Sequence, residues 1–442
     1  MSTRTAFFAL GPIVALSLGG CIMPPKAPPT PANPKPSSEL TTQPFWWGTS
    51  TSPFQNEDVA LPEDSPMIFR TDWDVFAEEG RTPPRTNGPM SWTHFDRDIE
   101  AIKALGLNHF RFGVEWARVE PKPGVYNEAA IRRYAEMARR VRAAGIEPVI
   151  TLWHFTFPDW LYDRDNKTRA NFLHPDVEQH WEVYVTKMVA ALKPHVQIFV
   201  PQNEPNGALQ LGYIGAHWPP GLLLRPFSYK RAMEVSARMF IRASEIIREE
   251  RPDAMVMGIY SMPHWRRNPW LDPTAMVYNT MQRQNYDHLD KVVHSMDLIG
   301  VNYYYSQDAT IQAFLKHGMG EIGSNYTQMG WQIAPEGFYK SLTDVWNRYH
   351  KPIVISENGI GTHSERKRIA YLRSHIAQMR RAMADGVAIQ GYFPWTLVDN
   401  YEWTEGYSAN FGLSYMNPKT NKRIFEPSAI WLRNFIKAHP EP

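Results

Sequence analysis

Beyond residue 44 the chain passes eight times from a short apolar run into a longer amphipathic one. The short runs, at 45–51, 109–114, 147–153, 197–202, 254–260, 297–303, 352–356 and 388–395, have the length and composition of strands. Helical periodicity follows at 95–105, 128–144, 177–192, 228–250, 336–349, 365–385 and 428–438, and 272–293 fills the remaining slot. Strict alternation implies a parallel sheet, and eight units over about 400 residues imply closure into a (β/α)8 TIM barrel. An open doubly wound sheet is the competing arrangement. Several strands are apolar throughout, as expected where side chains fill the inside and helices cover the outside.

In such a barrel the chemistry lies at the carboxyl ends of the strands. Two of those ends carry an acid: "IFVPQNEPNG" runs into Glu204 and "PIVISENGIGT" into Glu357, about 150 residues later. Closure brings two such carboxylates to one cavity. Reading the other ends adds Gln55, Arg111, His154, Asn203, Tyr304, Trp395, Glu402 and Trp403. A fold built for stability alone would not aim so many polar groups at one mouth, because each buried group without a partner costs about 1–3 kcal/mol. Facing carboxylates, one protonated and one ionised, are what glycosidic-bond cleavage needs. Bland readings stay open for some: Arg111 as a barrel-closing ion-pair residue, His154 as a satisfied core histidine, Trp395 as packing.

At these residues the sequence resembles the family 1 glycoside hydrolases, whose acid/base lies in Asn-Glu-Pro and whose nucleophile lies in Glu-Asn-Gly. The resemblance runs from Phe45 to about Trp431, through "FWWGTSTSPFQNE", "RFGVEWARVEPKPGVYN", "PVITLWHF", "DLIGVNYY" and "GYFPWTLVDNYEWTEGYSANFGL". It implies a retaining β-glycosidase that acts by double displacement on terminal, non-phosphorylated sugars, with Glu357 as nucleophile and Glu204 as acid/base. It implies that Arg111 orients the nucleophile and that Tyr304 hydrogen-bonds it. Gln55, His154, Asn203, Asn302, Glu402 and Trp403 are implied as sugar contacts, and Trp395 as a stacking platform. Transglycosylation on the same carboxylates is an alternative outcome, and a non-catalytic sugar-binding lipoprotein is a second. Phe155 and Thr156 depart from the Trp and Asp that many relatives carry after the histidine, so the preferred sugar is open. The residues between Gln55 and Trp92 form a long insertion, expected over the mouth. Glu402, with no evident basic replacement nearby, argues against sugar 6-phosphates.

Composition excludes more than it selects. Lys and Arg (47) nearly balance Asp and Glu (45), which disfavours a nucleic-acid partner. Aromatic residues make up 13% with 16 Trp, which suits either sugar faces or a large core. No metal-ligand spacing or phosphate-cradling glycine loop is present, so no cofactor or metal is expected, and His174, His217 and His264 read as structural or surface residues.

The first 44 residues read differently. Arg4, an apolar run at 6–18 and small residues before Cys21 have the layout of a secretion signal (1–20), and Leu18-Gly19-Gly20-Cys21 resembles a bacterial lipobox. A cleaved signal with an incidental cysteine is the alternative. Residues 21–44 then comprise the lipidated Cys21 and a proline-rich, extended spacer, and the barrel domain occupies 45–442. The expected setting is the cell envelope outside the cytoplasm, on the outer membrane if the source is Gram-negative, since Ile22 is not the Asp that retains lipoproteins at the inner membrane.

Overall fold

The computed structural model describes residues 44–58, 69–311 and 325–442. Eight strands close a wholly parallel barrel in which each pairs with its chain neighbours: β1 (Trp46–Ser50), β2 (His109–Gly113), β3 (Glu147–Thr151), β4 (Ile198–Val200), β5 (Met255–Ser261), β6 (Leu298–Tyr303), β7 (Ile353–Asn358) and β8 (Ile389–Pro394). The ring is completed where Trp46 and Trp47 of β1 pair with Gly391 and Tyr392 of β8. Helices α1 (Phe95–Leu105), α2 (Glu128–Ala143), α3 (Val177–Leu192), α4 (Pro226–Glu250), α5 (Met276–Val292), α6 (Pro335–Tyr349), α7 (Glu365–Ala384) and α8 (Pro427–Ala438) follow the strands in turn. The open doubly wound sheet is therefore excluded. The N-terminal signal, Cys21 and the proline-rich spacer lie outside the described residues.

Local chemistry sets the helix ends. α1 buries Phe95, Ile99, Ile102 and Leu105 at helical spacing and stops at Gly106, whose φ of 72° suits glycine. Asn127 and Ser364 cap α2 and α7 by accepting from the backbone N–H three residues on. α5 begins four residues later than its periodicity predicts, because Asp272 is used as a cap, accepting from the Met276 and Tyr278 N–H groups.

The barrel interior is graded along its axis. Trp46, Val149, Ile198, Val200, Met257, Ile259, Leu298, Val354 and Phe393 form one buried apolar cluster. At its amino end the Trp46 ring stacks on His109 at 4.6 Å, and burial pushes the His109 pKa down to about 3, so this ring is a neutral packing group. Toward the carboxyl ends the filling turns polar, with Ser50, Arg111, Thr151, Asn302 and Ser356 all buried. Register holds these groups at one level: Ser50 pairs with Arg111, Asn203 with Ile259, and Asn302 with Glu357.

The cross-section leaves no room for a side chain where glycine faces the Phe393 ring. A Cβ on Gly48 would lie 2.7 Å from the Phe393 ring. Replacing Gly48→Leu is expected to destabilise the barrel by roughly 1–3 kcal/mol or more through overpacking, read as a lower thermal midpoint, and an unchanged midpoint would contradict this account of the interior.

Candidate active site

Each predicted carboxylate reaches the same cavity by a different backbone route. Glu357 is the fifth residue of β7, one position inside the strand rather than beyond its end. Glu204 lies past the paired part of β4, held by its N–H to Ile259 O at 2.9 Å, and adopts φ 43°, ψ 49° before Pro205 opens the helix Pro205–Tyr213. Pro205 suits that first helical turn, having no N–H to leave unpaired.

The two acids have different surroundings. Glu357 Oε1 accepts from Arg111 Nη1 at 2.6 Å, and Oε2 accepts from Tyr304 Oη at 2.6 Å. One donor is a guanidinium and both oxygens are used, which is the bonding of an anionic carboxylate. Among the described residues no cation pairs with Glu204, and Asn302 Nδ2 donates to its Oε1 at 2.6 Å. Burial, with the charge on Glu357 next, raises the Glu204 pKa, while the Asn302 bond opposes the rise. The same two causes push Glu402 up to about 8. Tyr304 is held well above the usual phenol range by burial and by Glu357, so its hydroxyl is a donor.

Beneath the acids runs one buried hydrogen-bonded group. Arg111 Nε donates to Thr151 Oγ1 (3.0 Å) and Nη2 to Asn203 Oδ1 (2.8 Å), Asn302 Nδ2 also approaches Asn203 Oδ1 (3.3 Å), and Ser356 Oγ donates to Asn302 Oδ1 (2.7 Å). His154 Nε2 lies 3.2 Å from Asn203 Nδ2, and its Nδ1 lies 3.4 Å from Arg111 Nη2. Burial and then the Arg111 charge keep that imidazole neutral, so only one of its nitrogens accepts.

Of the predicted residues, His154, Glu204, Tyr304, Glu357, Trp395, Glu402 and Trp403 line the cavity. Arg111, Asn203, Asn302 and Gln55 lie beneath its wall, each no more than 2% exposed. Gln55 sits on the short helix Pro53–Asn56 behind Glu402, donating to Tyr401 O at 2.8 Å and to Glu402 Oε2 at 3.4 Å. Among three consecutive tyrosines, Tyr304 is the one on Glu357, Tyr303 turns outward to donate to Ala334 O, and Tyr305 joins the outer wall.

The insertion differs from expectation. Its described part forms the helix Asp72–Glu78, started by a Thr71/Asp74 capping box. Rather than covering the mouth, it buries Trp73 against Trp403 at 4.6 Å, with Phe54 stacked on Trp403 at 5.6 Å. His217 lines the cavity beside Trp218. Sequence reasoning missed Leu211, Trp218, Met329, Trp331 and Glu405 in the lining. Leu211 lies on the helix Pro205–Tyr213 and Glu405 ends a single 3-10 turn, while Trp218, Met329 and Trp331 sit on loops without periodicity. The available signal was a tryptophan beside turn residues, as in His217-Trp218-Pro219-Pro220-Gly221.

Among the described residues, no group of three or more His, Cys, Asp or Glu side chains is placed to hold a metal ion, and no helix is long and apolar enough to cross a membrane.

A family model described as glycosyl hydrolase family 1 matches residues 38–267 and 253–441. The chain is similar to beta-glucosidase A of Thermotoga maritima, at 26% identity over 89% of this chain and 97% of that one. It is also similar to a beta-galactosidase of Sulfolobus acidocaldarius, at 25% identity over 90% of this chain and 95% of that one. The Thermotoga maritima beta-glucosidase solved in complex with glucoimidazole superimposes with a TM-score of 0.78, at 25% identity over 89% of this chain and 98% of that one. With the family match extending over nearly the whole barrel, this chain belongs to glycosyl hydrolase family 1 and is a β-glycosidase.

Proposed function

We propose that the chain hydrolyses terminal, non-phosphorylated β-linked sugars, in the manner of a β-glucosidase, by double displacement. The observation that carries the reading is the contrast between two carboxylates on one cavity: Glu357 bonded to Arg111 and Tyr304, and Glu204 kept protonated by burial and by the charge on Glu357.

In the first step a Glu357 oxygen forms a bond to the anomeric carbon while the bond to the leaving oxygen breaks, and Glu204 gives that oxygen its proton. Esterification removes the Glu357 charge and with it one cause of the raised Glu204 pKa. Glu204, now ionised, takes a proton from water, whose oxygen displaces Glu357 from the sugar. Two inversions give net retention. Arg111 and Tyr304 orient the nucleophile before attack, and Tyr304 donates to the departing carboxylate oxygen.

Sugar recognition falls to His154, Trp395, Glu402 and Trp403 on the wall, with Asn203, Asn302 and Gln55 beneath them fixing their orientation and reaching hydroxyls that enter deepest. Preference for an uncharged sugar is supported by the lining, which contains Glu402 and Glu405 but no Lys or Arg among the described residues. A phosphate there would find no cation in the lining to offset its charge.

We also propose that Cys21 is lipidated and that the enzyme is held in the cell envelope outside the cytoplasm, which rests on the Leu18–Cys21 sequence. The source of the chain decides which membrane.

With an aryl β-glucoside, the first product seen by NMR is expected to be the β-anomer, and α-anomer as first product would exclude double displacement. Glu357→Gln is expected to abolish turnover. Glu204→Gln is expected to lose about 10²–10⁴-fold on poor leaving groups and far less on a dinitrophenyl glycoside, which needs no proton. Activity falls as pH rises through the Glu204 pKa, because the acid is lost. Asn302→Ala removes a bond that lowers this pKa, so the alkaline limb of kcat/KM moves to higher pH, and a shift to lower pH would contradict the assignment. Cys21→Ser is expected to move the expressed protein from the membrane fraction to the soluble fraction, and unchanged partitioning would overturn the lipid anchor.

A further inference from the structure

The carboxyl face of the barrel carries an apolar rim that neither the cavity nor the core uses. On the loop between the helix Pro205–Tyr213 and α4, Leu223 is 58% exposed, and Phe227, in the first turn of α4, is 86% exposed. On the loop between β5 and α5, Trp270 is 94% exposed and Leu271 67%. Large side chains this exposed lose free energy in water unless something covers them.

The two loops stand on common ground. Leu224 of the first and Val277 just beyond the second pack into one cluster with Ile214, Trp265, Tyr305 and Trp331. Gln284 of α5 donates to Gln210 of the helix that precedes the first loop. Tyr305 and Trp331 of that cluster also line the cavity, so the rim borders the outer wall of the site.

Charge identifies the occupant. Arg225, Lys230, Arg231 and Arg267 are exposed around the apolar tips and form no ion pair among the described residues. Residues 215–231 contain no acid, and the only acid in 262–278 is Asp272, which is buried and occupied in capping. A second copy seated on this rim through a two-fold axis would set these cations against one another. Exposed Trp, Leu and Phe ringed by unpaired Arg and Lys are what an anionic headgroup layer accepts, with the rings entering the interface and the cations meeting phosphate. We propose that this rim docks on an anionic phospholipid surface and turns the cavity mouth toward it.

The proposal is separate from lipid on Cys21, and its test separates them. Cys21 is the only cysteine, so the full-length Cys21→Ser chain has no acyl anchor, and one cysteine introduced into it takes the only label. Leu271→Cys carrying a nitrobenzoxadiazole fluorophore reports on the rim, and Pro252→Cys reports on the opposite end of the barrel, between α4 and β5. With vesicles of phosphatidylcholine and phosphatidylglycerol, emission at 271 is expected to shift blue while emission at 252 stays put. Adding Arg225→Glu and Arg267→Glu is expected to weaken partitioning roughly tenfold or more, with aryl β-glycoside turnover unchanged as a check on folding. No shift at 271, an equal shift on phosphatidylcholine alone, or a dimer in sedimentation velocity that Trp270→Ser dissolves would each overturn the proposal.

Discussion

The site depends on one guanidinium at the barrel axis. Arg111 is buried, and its three nitrogens reach Thr151 on β3, Asn203 beyond β4 and Glu357 on β7, so it joins walls that the chain order keeps far apart. A charge in that position is tolerable only because Glu357 opposes it and the remaining donors have acceptors. The reverse also holds: Glu357, 4% exposed, is stable as an anion because Arg111 is there. Breaking such a pair by removing one partner typically costs about 3–5 kcal/mol, which ties catalytic geometry to folding.

From that centre the molecule divides along the barrel axis. Below Arg111 the filling is apolar and its one imidazole, His109, is neutral. Above it the groups are polar, and aromatic rings brace them from outside. Trp403 shows how: Phe54, Trp73, Phe155 and Trp218 all contact it, so the ring at the cavity wall is fixed by four others from separate segments. The much larger aromatic content that the composition advertised serves both purposes at once, packing and wall.

How much of this was legible in the sequence follows from periodicity. Strands and helices repeat, so the barrel and its eight units could be read, with errors confined to ends such as the start of α5, where Asp272 caps a helix it seemed to begin. Residues at strand ends inherit that legibility, which is why Arg111, Glu357 and Tyr304 were found and meet as geometry requires. Depth is not encoded in the same way. Gln55, Asn203 and Asn302 lie beneath the wall rather than on it, because the side chains above them come from other strands. Trp218 and Trp331 were missed because loops carry no period, and the insertion helix at Asp72–Glu78 was set over the mouth because its anchor, Trp73 on Trp403, joins residues 330 apart in sequence.

The hydrogen-bonded set of Thr151, Arg111, Asn203, Asn302 and Ser356 has a bearing on how such an enzyme diversifies. Its members share partners, so the effect of changing one depends on the state of the rest, and single substitutions there are epistatic. Phe155, Trp218 and Trp331 pack on neighbouring rings but their side chains take no part in those shared hydrogen bonds, so replacements there leave the axial set intact. Mutational paths toward new sugars are therefore open at the wall and closed at the axis, and a lineage can drift in specificity while its reaction centre stays put.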